Sequence, residues 1–320
     1  MHSSKSSFFS SLRLKSNCHV LSITSNDTKY CFGLSAPDPQ HSLKLVQFTR
    51  KGFHSIENIG GNNRGTAFSL KNINNVSVYV RNSQNALYRR LIANDEILSV
   101  QNIASSVTGD PMCYIHEVSS NRPTYCFARN SLNTLTEYVE LKGNTWRTTQ
   151  LGNRTDRIRN ETASVCSYVG LTHRYCFAIF ENGQIYRILF NAGSWNTWQL
   201  TGGGRIPQFL SPPTFLTSKQ LNQSDSDQTC YLIAIDYANY LQLSINTNCP
   251  STDNFSEWSS IADNRKFKQI DKIFRLRDGH IGVLGIDEQN QLYYLLLDPT
   301  TNRFTLPRLA LTRKAEQFRP

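Results

Sequence analysis

A strand–turn–strand segment recurs six times along this chain and constrains its fold more than any other feature. Each copy begins on an apolar strand with one large apolar residue, here called the anchor. It then crosses a turn into a second strand that opens on Leu or Ile. The anchors follow one another at intervals of about 47 to 56 residues, at Phe32, Tyr79, Phe127, Phe177, Ile233 and Leu284. A period of this size indicates an array of small supersecondary units.

The repeats predict an all-β chain. The fourth repeat is the clearest, with strands predicted at 164–168, 174–180, 184–190 and 194–200 and a tight Asn182-Gly183 turn. A four-stranded sheet of this size cannot bury both faces alone, and radial stacking in a β-propeller solves that problem. We therefore predict a six-bladed β-propeller. An open solenoid is disfavoured because its repeats are usually shorter, and we find no room for a seventh blade.

The repeats also predict one domain that fills most of the chain. We expect a single propeller over residues 17–310, preceded by an N-terminal extension at 1–16 and followed by a C-terminal tail at 311–320. The segment from Phe8 to Leu14 could add a strand that closes the ring. The repeat boundaries are predicted at 17–65, 66–110, 111–161, 162–210, 211–267 and 268–310.

Composition supports a β protein and argues against several classes of partner. Only 39% of the residues are hydrophobic, and Asn, Ser and Thr are abundant, as in chains with many turns. No apolar run approaches the roughly 20 residues of a membrane span, and no signal-peptide core is visible near the N-terminus. The net charge of +10 favours acidic partners. Because Lys and Arg are dispersed and no nucleic-acid motif accompanies them, we expect no nucleic-acid binding.

Eight cysteines form four pairs that are each local to one repeat: Cys18 with Cys31, Cys113 with Cys126, Cys166 with Cys176, and Cys230 with Cys249. In three pairs, one Cys directly precedes the anchor and the other lies on the preceding strand, within disulfide reach across a hairpin. The alternative is eight buried thiols, but recurrence in pairs favours disulfides. Disulfides would place the protein in an oxidising, secreted or cell-surface environment. Without a Cys-x-x-Cys and with scattered His, we expect no metal and no cofactor.

Two further patterns have a structural interpretation. Asn or Asp recurs three residues after the anchor, at Asn82, Asn130, Asp236 and Asp287. A carboxylate there could be a ligand group, but a side chain that hydrogen-bonds its own turn backbone is the favoured interpretation. N-glycosylation sequons of a potential glycoprotein begin at Asn26, Asn75, Asn153, Asn160, Asn222 and Asn254. Chance alone would produce about five in such a composition, so they mark potential sites only.

Two segments resemble a known blade motif. Val78 to Tyr88 reads Val-Tyr-Val-Arg-Asn-Ser-Gln-Asn-Ala-Leu-Tyr, and Trp195 to Gly203 reads Trp-Asn-Thr-Trp-Gln-Leu-Thr-Gly-Gly. They resemble the repeats of the Photorhabdus-type propeller lectins, and the resemblance is close in repeats two and four. It implies sugar binding between adjacent blades, with aromatic rings against the apolar sugar face. The fungal six-bladed fucose lectins pair an Arg with a Glu about twelve residues later. Because Tyr125 stands where that Arg would precede Glu137, their fucose site is not transferred.

Under this resemblance the candidate ligand-binding residues are Tyr88, Arg89, Trp146, Tyr186, Arg187, Trp195, Trp198, Trp258 and Tyr293. Each could instead pack between sheets. Arg89 and Arg187 occupy nearly equivalent repeat positions, so they could share a role.

No catalytic residue is indicated, because the chain has no Gly-x-Ser-x-Gly elbow, no phosphate loop and no carboxylate pair singled out by spacing. We therefore expect a non-enzymatic propeller that binds cell-surface glycans or glycoproteins at several clefts, which would raise its avidity. A protein-binding propeller, such as an adhesion or receptor-binding head, and a degenerate sialidase-like hydrolase remain alternatives.

Overall fold

The computed structural model describes the backbone of the chain from His19 to Leu309, and most side chains from Ser77 to Thr305. The undescribed internal residues are 23–28, 35–42, 50–51, 59–62, 72–75, 94–95, 116–122, 143, 154, 156, 160–164, 170–171, 204–205, 218–227, 262–264, 277–279, 299–300, 302 and 306–307. Every helix or strand element in the described ranges is a β-strand, so the all-β expectation is confirmed. The N-terminal extension, the C-terminal tail and Cys18 of the predicted pair Cys18–Cys31 lie outside the described residues.

The chain divides into two compact units, and the first spans Met1–Ser164. Its described strands form three antiparallel sheets, each built from consecutive strands in the order of the chain. The first sheet is β1 (His19–Ser22), β2 (Lys29–Leu34), β3 (Leu43–Thr49) and β4 (Gly52–Asn58); the second is β5 (Asn63–Lys71), β6 (Val76–Asn82), β7 (Leu87–Ala93) and β8 (Glu96–Ala104); the third is β9 (Met112–Ile115), β10 (Thr124–Arg129), β11 (Leu135–Glu140) and β12 (Trp146–Leu151).

The second unit spans Val165–Pro320, and its described strands also form three antiparallel meanders. The fourth sheet is β13 (Val165–Val169), β14 (His173–Ile179), β15 (Ile185–Asn191), β16 (Ser194–Trp195) and β17 (Gln199–Leu200); the fifth is β18 (Thr214–Thr217), β19 (Gln228–Ile235), β20 (Leu241–Cys249) and β21 (Ser259–Ser260); the sixth is β22 (Phe267–Arg275), β23 (Ile281–Asp287), β24 (Leu292–Asp298), β25 (Arg303–Phe304) and β26 (Arg308–Leu309).

One strand prediction needs correction. The fourth strand of the fourth sheet was predicted to be continuous over 194–200, but it is split into β16 and β17. Trp195 pairs with Phe190, and Leu200 pairs with Tyr186. The segment from Trp195 to Leu200 is therefore one residue longer than the segment of β15 that it faces, from Tyr186 to Phe190. This extra residue is a β-bulge, which interrupts the ladder locally.

The described core lies between consecutive sheets within each unit. Successive side chains of a strand point to opposite faces, so a strand covered on both faces is apolar throughout. Strand β19 is the clearest example. Leu232 and Ala234 pack towards the fourth sheet, whereas Tyr231, Ile233 and Ile235 pack towards the sixth. In the first unit, a similar cluster joins Tyr79 and Leu87 of the second sheet to Cys126 and Tyr138 of the third.

The turn between the second and third strands of a sheet has the chemistry expected from its Asn or Asp. The side-chain oxygen accepts hydrogen bonds of 2.8–3.2 Å from the backbone N–H groups two and four residues further on, at Asn82, Asn130, Asp236 and Asp287. The interpretation of these residues as turn formers is confirmed.

The same turns attach each sheet to the segment that follows it. The carbonyl of a left-handed turn residue accepts a 2.7–2.8 Å hydrogen bond from the N–H of a fully buried apolar residue. The pairs are Asn85 with Val107, Asn133 with Ile158, Gly183 with Phe209, and Asn239 with Phe267. The turn therefore joins two strands and also positions the segment that leads into the next sheet.

Three disulfides lie within single sheets, as expected: Cys113–Cys126, Cys166–Cys176 and Cys230–Cys249. The first two join residues that face each other directly across β9–β10 and β13–β14. Each disulfide closes a short loop and restricts the unfolded chain, which stabilises the folded sheet.

Candidate functional site

The two arginines with equivalent repeat positions lie at the same register of their sheets. Arg89 on β7 faces the anchor Tyr79 on β6, and Arg187 on β15 faces the anchor Phe177 on β14. Each Arg forms an ion pair with a carboxylate of the following sheet. The equivalence inferred from the sequence therefore extends to the partner of each side chain.

In the first unit, Arg89 belongs to a group that we call the polar cluster: Tyr79, Arg89, Glu140 and Trp146. The Nη1 atom of Arg89 donates a hydrogen bond to Oε1 of Glu140. Glu140 and Trp146 face each other across β11 and β12. The Trp146 ring meets Tyr79 edge to face, with 6.4 Å between ring centroids. Side-chain exposures of 12% for Arg89 and 22% for Glu140 leave the ion pair partly accessible to solvent.

Two buried polar atoms of the polar cluster have no hydrogen-bond partner among the described residues: Tyr79 Oη and Trp146 Nε1. The hydroxyls of Ser77 and Thr124 lie near the phenol, but neither has hydrogen-bond geometry with it. Burial raises the pKa of Tyr79 to about 12, with Arg89 opposing the shift and Glu140 adding to it. Because an unpaired buried donor is costly, such atoms need an explanation, and a ligand is one.

In the second unit, the equivalent group is Tyr175, Phe177, Arg187, Asp253 and Phe255, which we call the sealed cluster. Nε of Arg187 donates to Asp253 Oδ1 over 2.5 Å, and Nη2 donates to the Asp253 carbonyl over 2.6 Å. Tyr175 Oη donates to the same carboxylate over 3.1 Å. Burial, reinforced by the charge of Asp253, raises the pKa of Tyr175.

The remaining contacts complete the sealed cluster. Arg187 also donates to the Leu200 carbonyl and to Gln199 Oε1, so four of the five guanidinium N–H groups are used. The Phe255 ring meets Phe177 edge to face at 5.6 Å, in the way that Trp146 meets Tyr79. The two clusters thus share one arrangement and differ in chemistry. Phenylalanines replace the Tyr and the Trp, and most of the arginine's N–H groups already bind protein acceptors.

The other predicted site residues are distributed over several places. Tyr88 lies half-buried on β7, where it faces Val80 of β6. Trp195 is half-buried and contacts Phe190, with the guanidinium of buried Arg174 at 5.1 Å from the Trp195 ring centroid. The structure therefore brings Arg89 and Trp146 together in the first unit. Trp195 lies in the second unit, in a different group of side chains formed with Phe190 and Arg174.

Two predicted site residues are buried by protein contacts. Trp258 is only 9% exposed, packs against Phe209 and donates its Nε1 hydrogen to the Thr201 carbonyl over 3.0 Å. Tyr293 is 7% exposed and lies beneath the guanidinium of Arg265, 4.2 Å from the ring centroid.

Tyr186 and Trp198 form a third arrangement with Phe180, in which Phe180 stacks on Tyr186 at 4.1 Å.

Sequence reasoning missed six members of these clusters: Tyr79, Glu140, Tyr175, Phe177, Asp253 and Phe255. One signal was available, because Tyr79 is the only anchor that carries a polar atom. The two carboxylates had no comparable signal. Their partners lie 51 and 66 residues away along the chain, and only the fold brings them together.

The described residues also bear on metal binding and membranes. No group of three or more His, Cys, Asp or Glu residues that could hold a metal ion occurs in the part of the chain that the structure describes. Within the same part, no helix is long and apolar enough to cross a membrane.

Comparisons with known proteins identify the fold. No protein-family model matches the sequence, and a search of curated proteins finds no relative. Solved structures do match. BP39L lectin from Burkholderia pseudomallei has a TM-score of 0.71 at 12% identity, covering 92% of this chain and 84% of that one. SapL1 lectin, solved with α-methyl fucoside, has a TM-score of 0.59 at 11% identity, covering 95% and 99%.

A third solved structure also matches. The fungal lectin from Aleuria aurantia, a six-bladed β-propeller with a fucose recognition mode of its own, has a TM-score of 0.53 at 11% identity, covering 92% and 96%. At these identities the likeness concerns the fold alone. The chain is similar to β-propeller lectins in fold, which confirms the predicted β-propeller class.

Proposed function

We propose that this protein is a non-enzymatic, glycan-binding β-propeller whose main site is the polar cluster of Tyr79, Arg89, Glu140 and Trp146. The main support for this proposal is the contrast between two equivalent clusters in one chain. The sealed cluster satisfies its arginine and tyrosine internally, whereas the polar cluster keeps two buried polar atoms without a described partner. The structural similarity to lectins supports the choice of glycan as the ligand class.

The side chains of the polar cluster suit a sugar. The indole N–H of Trp146 and the free N–H groups of Arg89 can donate to hydroxyl oxygens, and the Glu140 carboxylate can accept from hydroxyl hydrogens. Hydrogen bonds to charged groups are stronger than neutral ones and fix the orientation of a small ligand. The half-buried Trp146 ring offers an apolar surface for the C–H groups of the sugar.

The cluster does not suit glycoside hydrolysis. That reaction usually employs two carboxyl groups about 5 to 9.5 Å apart, one of them as a general acid. The polar cluster holds one carboxylate, Glu140, and this carboxylate is paired with Arg89. A binding role therefore accounts for the cluster better than catalysis does.

The finer predictions become part of this proposal. We propose that the six described sheets are six blades of one propeller with the predicted repeat boundaries, of the Photorhabdus type. We propose also that the protein is secreted or displayed at a cell surface, where its glycan partners occur. Disulfides within sheets support an oxidising environment.

The test is a glycan array followed by titration of the best ligand, with methyl α-L-fucoside included as a probe. Tyr79→Phe and Trp146→Phe each remove a polar atom and recreate the chemistry of the sealed cluster. Trp146→Phe should weaken binding by about tenfold, the usual value of one lost hydrogen bond to a ligand. Tyr240→Phe, a matched substitution in the second unit, should leave the affinity within twofold.

Two outcomes would overturn the proposal. An array without any glycan above background removes the glycan-binding function. Binding that survives Tyr79→Phe and Trp146→Phe unchanged removes the polar cluster as its site. Recovery of one protein partner that persists after deglycosylation would instead support the protein-binding alternative.

A further inference from the structure

The turn of the fourth sheet departs from the residue that the other described turns use. The second, third, fifth and sixth sheets place Asn or Asp three residues after the anchor, and the fourth sheet places Phe180 there. Asn182 takes over part of the turn role, since its Oδ1 accepts a 3.0 Å hydrogen bond from the N–H of Gln184. A repeat that abandons a structural residue and compensates nearby is where function is expected.

Phe180 becomes the centre of an aromatic group instead of a turn former. Its ring stacks on Tyr186 at 4.1 Å and 26° and meets Trp198 edge to face at 5.3 Å and 69°. Phe180 is buried, while Tyr186 and Trp198 are half-buried and keep part of their surface in solvent. The β-bulge between β16 and β17 lies beside Trp198, and a bulge commonly redirects a side chain in this way.

Carboxamides border the aromatic group. The Nδ2 atom of Asn182 donates to Tyr186 Oη over 3.1 Å and to Gln184 Oε1 over 3.0 Å. We call these five residues the aromatic turn surface: Phe180, Asn182, Gln184, Tyr186 and Trp198. The only charged residue between Phe180 and Gln184 is Glu181, so the turn itself supplies no cation for an anionic ligand.

The turn of the fifth sheet extends this surface. Gly183 has a φ of +79°, and an added Cβ would lie 3.4 Å from Tyr237 and 3.2 Å from Gln208. Asparagine adopts the same left-handed conformation at the equivalent position of other turns, as at Asn85 and Asn239, so it is the close approach of Gln208 that favours glycine here. Tyr237 is 52% exposed, so much of its ring faces solvent. Aromatic and amide groups thus continue from one sheet to the next.

We infer that the aromatic turn surface is a second carbohydrate site, which binds an uncharged pyranose by stacking. Rings that are partly exposed offer a π-face to the C–H groups of a sugar. Asn182 Nδ2 already donates to Tyr186 and Gln184, so Gln184 Nε2 is the amide donor for sugar hydroxyls, and the amide oxygens can accept from them. The site lies in the second unit and shares no residue with the polar cluster. Only the ligand class rests on the proposed function.

The site should prefer a ring with one apolar face. Methyl β-D-galactoside presents three C–H groups on one side of its ring, whereas galactitol carries similar hydroxyls without a ring. Saturation-transfer NMR and titration with the full chain should show binding of the galactoside and none of galactitol. Equal responses to the two compounds would overturn the stacking mechanism.

Two variants test the location. Trp198→Ala should weaken galactoside binding by at least about fivefold through loss of one ring. Phe180→Asn restores the turn residue of the other sheets, so it should fold and still lose the site. Leu132→Ala alters an exposed residue at the equivalent turn position of Asn182 in the third sheet and should leave the affinity within twofold. Retention of galactoside binding in both Trp198→Ala and Phe180→Asn would overturn the inference.

The results also separate the two proposed sites. If Tyr79→Phe and Trp146→Phe abolish binding of the array ligand but leave galactoside binding intact, the sites are independent. If the galactoside fails to bind while the array ligand binds through the polar cluster, the inference fails and the proposed function stands. If neither ligand binds, both fail.

Discussion

The ion pair between Arg187 and Asp253 is expected to be the most stabilising polar contact of the sealed cluster. The Arg187 side chain is only 8% exposed, and its Nε lies 2.5 Å from Asp253 Oδ1. Asp253→Ala would leave a buried guanidinium without its carboxylate and Tyr175 Oη without its acceptor. Removing one partner of a buried pair typically costs about 3–5 kcal/mol. Because the Asp253 side chain is 23% exposed, we expect a loss near the lower end, about 3 kcal/mol.

A double-mutant cycle separates this cost from simple loss of contacts. Arg187→Met removes the charge and keeps an apolar side chain, so the double variant Arg187→Met/Asp253→Ala should cost clearly less than the sum of the single variants. Urea denaturation followed by circular dichroism at pH 7 gives the four free energies of unfolding. A loss below about 1 kcal/mol for Asp253→Ala, or additivity within about 0.5 kcal/mol, would refute the argument.

Three further predictions concern stability. The raised pKa of Tyr79 means that its stabilising contribution is complete below pH 10 and lost as the pH rises towards 12; Tyr79→Phe should therefore reduce an alkaline loss of up to about 3 kcal/mol, measured by urea denaturation at pH 9 and 11. Gly202→Ala should cost about 2–4 kcal/mol because the new Cβ lies 2.7 Å from Trp258 at a φ of +81°; Gly193→Ala, equally left-handed but in open space, should cost less, and equal thermal unfolding shifts would contradict this. Asp236→Ala should lose about 1–3 kcal/mol through its turn hydrogen bonds, and an unchanged midpoint would show that these bonds do not stabilise the turn.

The fold was accessible from the sequence because its determinants are local and repeated. An anchor, a turn Asn or Asp and a Leu or Ile eight residues after the anchor recur, and each acts within one hairpin. The cross-strand cysteines followed from the same repetition. The β-bulge between β16 and β17 did not, since a single additional residue on an outer strand leaves no mark on the hydrophobic pattern.

The candidate site was only partly accessible, for a physical reason. Arg89 and Trp146 were recognised as residue types that bind sugars, and the equivalence of Arg89 with Arg187 followed from counting. Their different situations depend on Glu140 and Asp253, which belong to the following sheets. A sequence pattern shows which positions are equivalent in the repeats. It does not show which arginine uses most of its N–H groups in hydrogen bonds within the protein.

The two proposed sites follow one rule. Tyr79 stands where the other anchors are Phe, Ile or Leu, and Phe180 stands where the other described turns have Asn or Asp. In both cases the scaffold tolerates the change because neighbouring contacts compensate: cross-strand packing surrounds Tyr79, and Asn182 supports the altered turn. The repeats that keep the common residue at these positions show what the sheet needs. The other repeats form the same sheet without a polar atom at the anchor or a ring in the turn. The presence of these two residues is therefore better explained by what the surface binds than by what the sheet requires.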